Sequence, residues 1–238
     1  MLGYPLAVVS GTGLGTSYSS LKQIGSALPQ KAFGQAALQV AVNAATGNLV
    51  VNDRPVKLAE KNGLLEFGYV YNSQVANAQS AWRLKLKQLQ PPATNPQANT
   101  AVIIEEDGHA TTYQLDPNTQ RYVAPGLENG TPYFYYDATN TQWIWYHPGT
   151  KITEVYNAQG NLIKRSDAAG RTTTYQYDAS NQLSQIVCAG GDIYQILRAG
   201  NSVQIGKVVE NQFIPIQLYK FDTDGRLASS SMADGSYT

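Results

Sequence analysis

The chain has little to do chemistry with. One cysteine, Cys188, stands alone in 238 residues. That excludes an intrachain disulfide and a multi-cysteine zinc site. The run Gln185-Ile186-Val187-Cys188 reads as strand, so the thiol is expected to be a small buried hydrophobe. There are two histidines, His109 after the Asp107-Gly108 turn and His147 before Pro148-Gly149. Both are expected in solvent at turns. No short ligand spacing joins them, so neither a metal nor a cofactor is expected. Neither charge sign is in excess, with Lys+Arg 17 against Asp+Glu 17. No basic surplus exists to hold nucleic acid or an anionic membrane. No apolar run approaches the roughly 20 residues of a spanning helix. Met1–Ser10 lacks the positively charged start of a secretory signal. Gly11-Thr12-Gly13-Leu14-Gly15 fits neither nucleotide-binding glycine spacing.

What the chain does have is aromatic and turn residues. Tyr numbers 16, Gly 21 and Pro 11, while charged residues are only 14%. That is too aromatic for disorder and too poor in helical periodicity for a bundle. The fold class expected is all-β: consecutive antiparallel hairpins in one large, curved, twisted sheet. In Trp82-Arg83-Leu84-Lys85-Leu86-Lys87, apolar and basic residues alternate, so the basic side chains are expected in water. Leu65, Phe67, Tyr69 and Tyr71 share a face at period two. Pro91, Pro92 and Pro96 mark a loop over 90–99. Residues 192–199 and 202–209 read as strands joined by a Gly200-Asn201 turn.

The best signal is a repeat. Leu115-Asp116, Tyr136-Asp137, Tyr156-Asn157, Tyr177-Asp178 and Phe221-Asp222 share a frame. Their first residues lie 21, 20, 21 and 44 positions apart, the last being two periods. Two residues upstream of each stand Tyr113, Phe134, Glu154, Tyr175 and Tyr219, four of them aromatic. Gly108, Gly149 and Gly170 each lie five residues before a member of that set. Asp234-Gly235 is a further turn dipeptide.

One unit follows from these marks. A glycine turn feeds a strand whose aromatics at i and i+2 share a face. Asp or Asn then starts a turn by bonding its own backbone two residues on. Gly160, Asn181 or Gly225 supplies a left-handed position. A second strand returns, carrying Leu162, Leu183 or Leu227 inward. A lone hairpin is marginal in water, so neighbours must pair edge to edge.

Tyr133 to Tyr136, Trp143, Trp145 and Tyr146 form an aromatic cluster. Two readings apply. Cross-strand aromatic pairs can hold the sheet, or Tyr135, Trp143, Trp145 and Tyr146 can form a platform for sugar rings. Solvent exposure of Trp143 or Trp145 would favour the platform. Catalysis has thinner support. Glu105, Glu106 and Asp107 read as a charged strand edge. No Gly-x-Ser-x-Gly elbow is present. A glycoside hydrolase needs two carboxylates about 5–10 Å apart across a cleft, and the sequence names no such pair.

These residues resemble the YD-repeat, or RHS-repeat, family. The nearest likeness runs from Asn161-Leu162 through Asp167-Ala168-Ala169-Gly170-Arg171 to Tyr175-Gln176-Tyr177-Asp178. Upstream, Thr46-Gly47-Asn48-Leu49 and Tyr71-Asn72-Ser73 are similar to the region that precedes such repeats. The resemblance covers about residues 36–238 and implies a β-shell. Its structural repeat residues would be Gly108, Asp116, Asp137, Gly149, Tyr156, Gly170, Arg171, Tyr175, Tyr177, Asp178, Tyr219, Phe221, Asp222 and Gly225.

The organisation expected is a flexible or partly helical lead segment over 1–35, with a short helix within Ser19 to Ala37. Strands over 36–106 follow, then repeat hairpins over 107–238 that stop mid-repeat. In the stretch between 187 and 219 the repeat is degenerate. The resemblance further implies a non-catalytic role in a bacterial shell that encloses or delivers a toxin, exported without a classical signal peptide. The partners implied are further repeats of a longer chain or an enclosed effector. Glycans are the partner on the platform reading. No nucleic acid and no membrane span are expected.

Overall fold

The structure is a computed structural model. It describes residues 6–10, 14, 22–23, 39–43, 46–52, 56–60, 63–75, 82–92, 99–124 and 131–233. Among them there are strands and turns and no helix. The expected helix within Ser19 to Ala37 lies outside the described residues, apart from the strand pair Lys22–Gln23. The Asp234-Gly235 turn dipeptide, the three residues after it and most of the proline loop at 90–99 also lie outside them.

Eight strands precede the repeats. They are β1 (Leu6–Ser10), β2 (Lys22–Gln23), β3 (Gln39–Asn43), β4 (Leu49–Asn52), β5 (Val56–Glu60), β6 (Gly63–Phe67), β7 (Tyr69–Asn72) and β8 (Trp82–Leu84). Six of them form one sheet in the order β2-β1-β3-β4-β7-β8. Within it β1 and β3 run parallel. The expectation of hairpins throughout does not cover this pair. β5 and β6 make a separate two-stranded sheet.

The large sheet has fourteen strands in strict chain order. It runs through β9 (Gln88–Gln90), β10 (Thr100–Ile104), β11 (Ala110–Asp116), β12 (Arg121–Val123), β13 (Tyr133–Asp137), β14 (Gln142–His147) and β15 (Ile152–Tyr156). It continues through β16 (Leu162–Ser166), β17 (Thr172–Tyr177), β18 (Leu183–Val187), β19 (Ile193–Ala199), β20 (Ser202–Val209), β21 (Gln212–Phe221) and β22 (Leu227–Met232). Each pairs antiparallel with the one before. The sheet starts at Gln88, inside the stretch that the sequence assigned to the strands ahead of the repeats.

Local chemistry makes the hairpins. Six turns share one pattern, beginning at Glu105, Asn157, Asp167, Asp178, Cys188 and Asp222. The first amide donates to the carbonyl four residues on, and the amide three residues on donates back to the first carbonyl. That third position is left-handed in every case: Gly108, Gly160, Gly170, Asn181, Gly191 and Gly225. Where the first residue is Asn157, Asp167, Asp178 or Asp222, its side-chain oxygen accepts from the amides two and four residues on. Short polar side chains do this because they can reach their own backbone.

One face of the sheet is the core. Tyr113, Tyr122, Phe134, Trp143, Trp145, Tyr156, Tyr175, Ile186, Tyr194, Ile205 and Tyr219 are all buried there. Alternation along each strand puts them on that face together. The six-stranded sheet contributes Tyr69, whose ring lies 4.7 Å from Tyr219 and 5.6 Å from Phe221.

The degenerate stretch opens as a regular unit with substitutions, as far as Arg198, and then departs from the pattern in the long strands β20 and β21. Gly191 lies five residues before buried Ile196, as Gly170 does before Tyr175. Arg198 takes the place of Tyr177. Its guanidinium donates to the Leu183 carbonyl at 2.7 Å, and the Tyr177 hydroxyl donates to the Leu162 carbonyl at 2.9 Å. Cys188 opens the turn that Asp167 opens one unit earlier, and it is buried.

Candidate functional site

The aromatic cluster divides between two faces. Tyr133 pairs with Tyr146, Phe134 with Trp145, Tyr135 with Ile144 and Tyr136 with Trp143. Phe134, Trp143 and Trp145 point into the core, with Trp143 3% and Trp145 6% exposed. Phe134 stacks on Tyr122 at 4.7 Å, and Trp143 meets both edge-on. The exposure that a tryptophan platform requires is therefore absent. Tyr133, Tyr135 and Tyr146 stand half-buried on the opposite face. Arg121 lies over the Tyr133 ring at 4.2 Å. A shallow depression of about 300 Å³ beside them is lined by Thr119, Gln120, Arg121, Tyr133, Tyr135 and Tyr136. Of the four platform residues, only Tyr135 and Tyr146 share that face. Arg121 and Tyr133 were not singled out from the sequence as binding residues.

The core face carries a second cluster, which sequence reasoning missed. Glu154 is 1% exposed at a position that other units fill with Tyr113, Phe134, Tyr175 or Tyr219. Its neighbours across the ladder are Trp145 and Arg165. The Tyr156 hydroxyl donates to Glu154 Oε2 at 2.8 Å. Lys87 Nζ lies 3.5 Å from the same oxygen and 3.6 Å from Glu105 Oε2, and Arg165 Nε lies 3.7 Å from Glu154 Oε1. Lys87 also sits 4.3 Å over the Trp145 ring. The one visible signal was Glu154 breaking the aromatic frame.

Electrostatics follow from this arrangement. Burial opposes the Lys87 ammonium, but Glu154, Glu105 and Glu106 together raise its pKa above the ordinary lysine value. Burial pushes the Glu105 carboxyl up, and Lys87 partly offsets the shift. Burial, with Glu154 beside it, pushes the Tyr156 hydroxyl well up. A buried carboxylate needs such partners because an unpaired one costs several kcal/mol.

Several sequence expectations change here. The strand from Trp82 stops at Leu84, where Lys85 N donates to the Gly68 carbonyl and Arg83 Nη2 to that of Leu86. Lys87 then turns inward instead of into water. Glu105 is likewise part of the inner cluster and not a solvated edge. His109 is 6% exposed, packed behind the turn, with its amide on Asp107 Oδ1. His147 stays at its turn, where its Nδ1 accepts from the Thr150 amide at 3.1 Å and Lys151 is the left-handed residue. Among the described residues no group of three His, Cys, Asp or Glu side chains could hold a metal.

The repeat aspartates sit at turns. The Thr119 hydroxyl holds the Asp116 carboxyl below its ordinary pKa; Asn140 does this for Asp137, and Arg171 for Asp167. The motifs ahead of the repeats converge in space. Asn48 Nδ2 donates to Asn72 Oδ1 at 2.9 Å, and Ser73 Oγ accepts from the Leu49 amide at 2.8 Å. Asn72 Nδ2 donates to the Asp107 carbonyl at 3.0 Å, tying the six-stranded sheet to the first shared turn.

The family model described as RHS Repeat matches residues 156–193. Over those residues the chain is similar to the RHS-repeat family. No curated protein matches it. The matched RHS segment opens at Tyr156 and closes at Ile193. It contains β16, β17 and β18 and the turns at Asn157, Asp167, Asp178 and Cys188. The same turn pattern recurs beyond it at Glu105 and Asp222. The turn pattern of the matched segment therefore extends past it in both directions.

Proposed function

We propose that this chain is a non-catalytic structural module, the N-terminal part of an RHS-repeat shell that encloses or delivers a toxin or effector. The observation that carries the reading is the continuous fourteen-stranded sheet, each strand antiparallel to its predecessor, with one aromatic face buried. Such a sheet grows by adding hairpins to its edge. Among the described residues β22 pairs on one side only, with β21. Its other side offers backbone groups to a further strand. The partners on this reading are further repeats and an enclosed effector, in a bacterial protein exported without a classical signal peptide.

The test is the native product in its producing cell, measured by intact mass and by electron microscopy of the purified particle. A product far heavier than 25.8 kDa with a hollow shell is the expected result. A native product of that mass and solid form would overturn the reading.

The half-buried tyrosine face supports a second reading, a glycan-binding module. Tyr133, Tyr135 and Tyr146 offer rings and Arg121 a cation beside a shallow depression. A glycan array with the folded Tyr135→Ala and Tyr146→Ala variants tests it. Binding that both variants lose supports it; an array with no binder removes it.

A further inference from the structure

One unit of the sheet meets β9 in two places, and at the first of them it departs from the other units. The first is Glu154. Equivalent positions hold buried rings or, at 196, a buried isoleucine, so a charge there needs a reason outside the repeat. The reason is Lys87, which reaches in just before β9 and lies 3.5 Å from the carboxylate.

The second is Gly160. Its φ is +82°, but a left-handed turn does not by itself demand glycine, because Asn181 holds φ +60° at the equivalent position of the next unit. What demands it is Leu89. A Cβ on residue 160 would stand 1.8 Å from the Leu89 carbonyl oxygen. The two backbones touch there. Leu89 N donates to the Gly160 carbonyl at 2.9 Å, and Gln88 bridges to Asn161.

We propose that residues 152–166 form a docking address that accepts the strap Lys87–Gln90 in one register, through a buried carboxylate for its lysine and a bare glycine for its backbone. The carboxylate sets this unit apart, and the bare glycine, which Gly108, Gly170, Gly191 and Gly225 also supply at their turns, leaves the strap room. A ring in place of Glu154 removes the fully buried counter-charge of the lysine and leaves Glu105 as its remaining ion-pair partner. A side chain in place of Gly160 collides with the strap. The address folds the leading edge of the sheet back onto the sheet itself. It thereby occupies the Leu89 amide and sets the turn against the edge that β9 would otherwise offer to another chain. This holds whether or not the sheet goes on to enclose a cargo.

Amide hydrogen exchange on the full chain tests it. Gly160→Asn keeps a residue that the equivalent turn accepts, and Glu154→Gln keeps shape while removing charge. In both, the Leu89 amide is expected to exchange about tenfold faster or more, while the amides of β17 and β18 keep their protection. Gly170→Asn, at a turn with nothing within 4 Å, is the control and leaves Leu89 unchanged. Unchanged Leu89 exchange in both variants would overturn the proposal. So would β17 and β18 amides accelerating in parallel with Leu89, because the two residues would then serve the whole sheet. If Gly160→Asn does not fold, Lys87→Gln replaces it, with the same two outcomes.

Discussion

The Leu89 amide donates to the Gly160 carbonyl at 2.9 Å, across a gap of more than seventy residues of chain. This bond brings the first strand of the large sheet against the turn between its seventh and eighth. The sheet is therefore not flat. It bends far enough for its leading edge to meet its own middle, and Lys87 and Glu154 sit just inside the bend.

Gly160 should be far less replaceable than Gly170. Both are left-handed, so alanine costs roughly 1–2 kcal/mol at either from backbone strain. At Gly170 nothing else lies within 4 Å, and that cost is all that is expected. At Gly160 the methyl group meets the Leu89 carbonyl, so the loss should exceed about 3 kcal/mol. Urea unfolding of the two variants measures the difference. Equal losses would mean that the close approach adds nothing.

Removing Lys87 strips a buried carboxylate of one of its counter-charges. Lys87→Ala should cost about 3 kcal/mol, as when one member of a buried pair is deleted. Arg226→Ala is the contrast. Its bridge to Asp224 is open to water, with both side chains 62% exposed. That change should stay within about 0.5 kcal/mol. Denaturant midpoints of the two variants compare them directly.

Trp143 is a core residue, and its truncation should behave as one. Trp143→Ala is expected to cost about 3–5 kcal/mol through lost burial and the cavity left behind. Tyr135→Ala, on the opposite face, should cost about 1 kcal/mol or less. Thermal unfolding of both separates the two faces. Equal losses would put Tyr135 in the core too.

The inner tyrosines tie stability to alkaline pH. Burial pushes the Tyr69 hydroxyl up to about 12 and raises those of Tyr113, Tyr156, Tyr175 and Tyr177. In the unfolded chain a tyrosine ionises near pH 10. Above that pH the unfolded state has lost protons that the folded state retains. Stability is thus full below about pH 10 and falls as pH rises through the folded values. Absorbance at the phenolate band should show these tyrosines ionising late and together with unfolding. Normal titration of all sixteen with the fold intact would contradict their burial.

Much of the architecture was legible because its causes are local. Asp or Asn at a strand end bonds its own amides two and four residues on, so Asp167, Asp178 and Asp222 each announce a turn without help from distant residues. The Gly200-Asn201 turn between β19 and β20 was readable for the same reason. The unit around Arg198 was not readable. Its geometry survives while its side chains change: an arginine makes the hydrogen bond that a tyrosine makes one unit earlier. The inward turn of Lys87 was also hidden, since alternation alone sends a lysine to water.

The sequence by itself determined the hairpin unit, its period and its turns, because neighbouring residues along the chain decide them. Which face became the core, and where the sheet touches itself, were decided only by tertiary structure. Burying Trp143 and Trp145 together with Phe134 requires the register of three strands. Placing Glu154 against Lys87, and Gly160 against Leu89, requires the curvature of the whole run from β9 to β16. Contacts between residues far apart in the chain have no local signature, and here only a glutamate in an aromatic frame hinted at one.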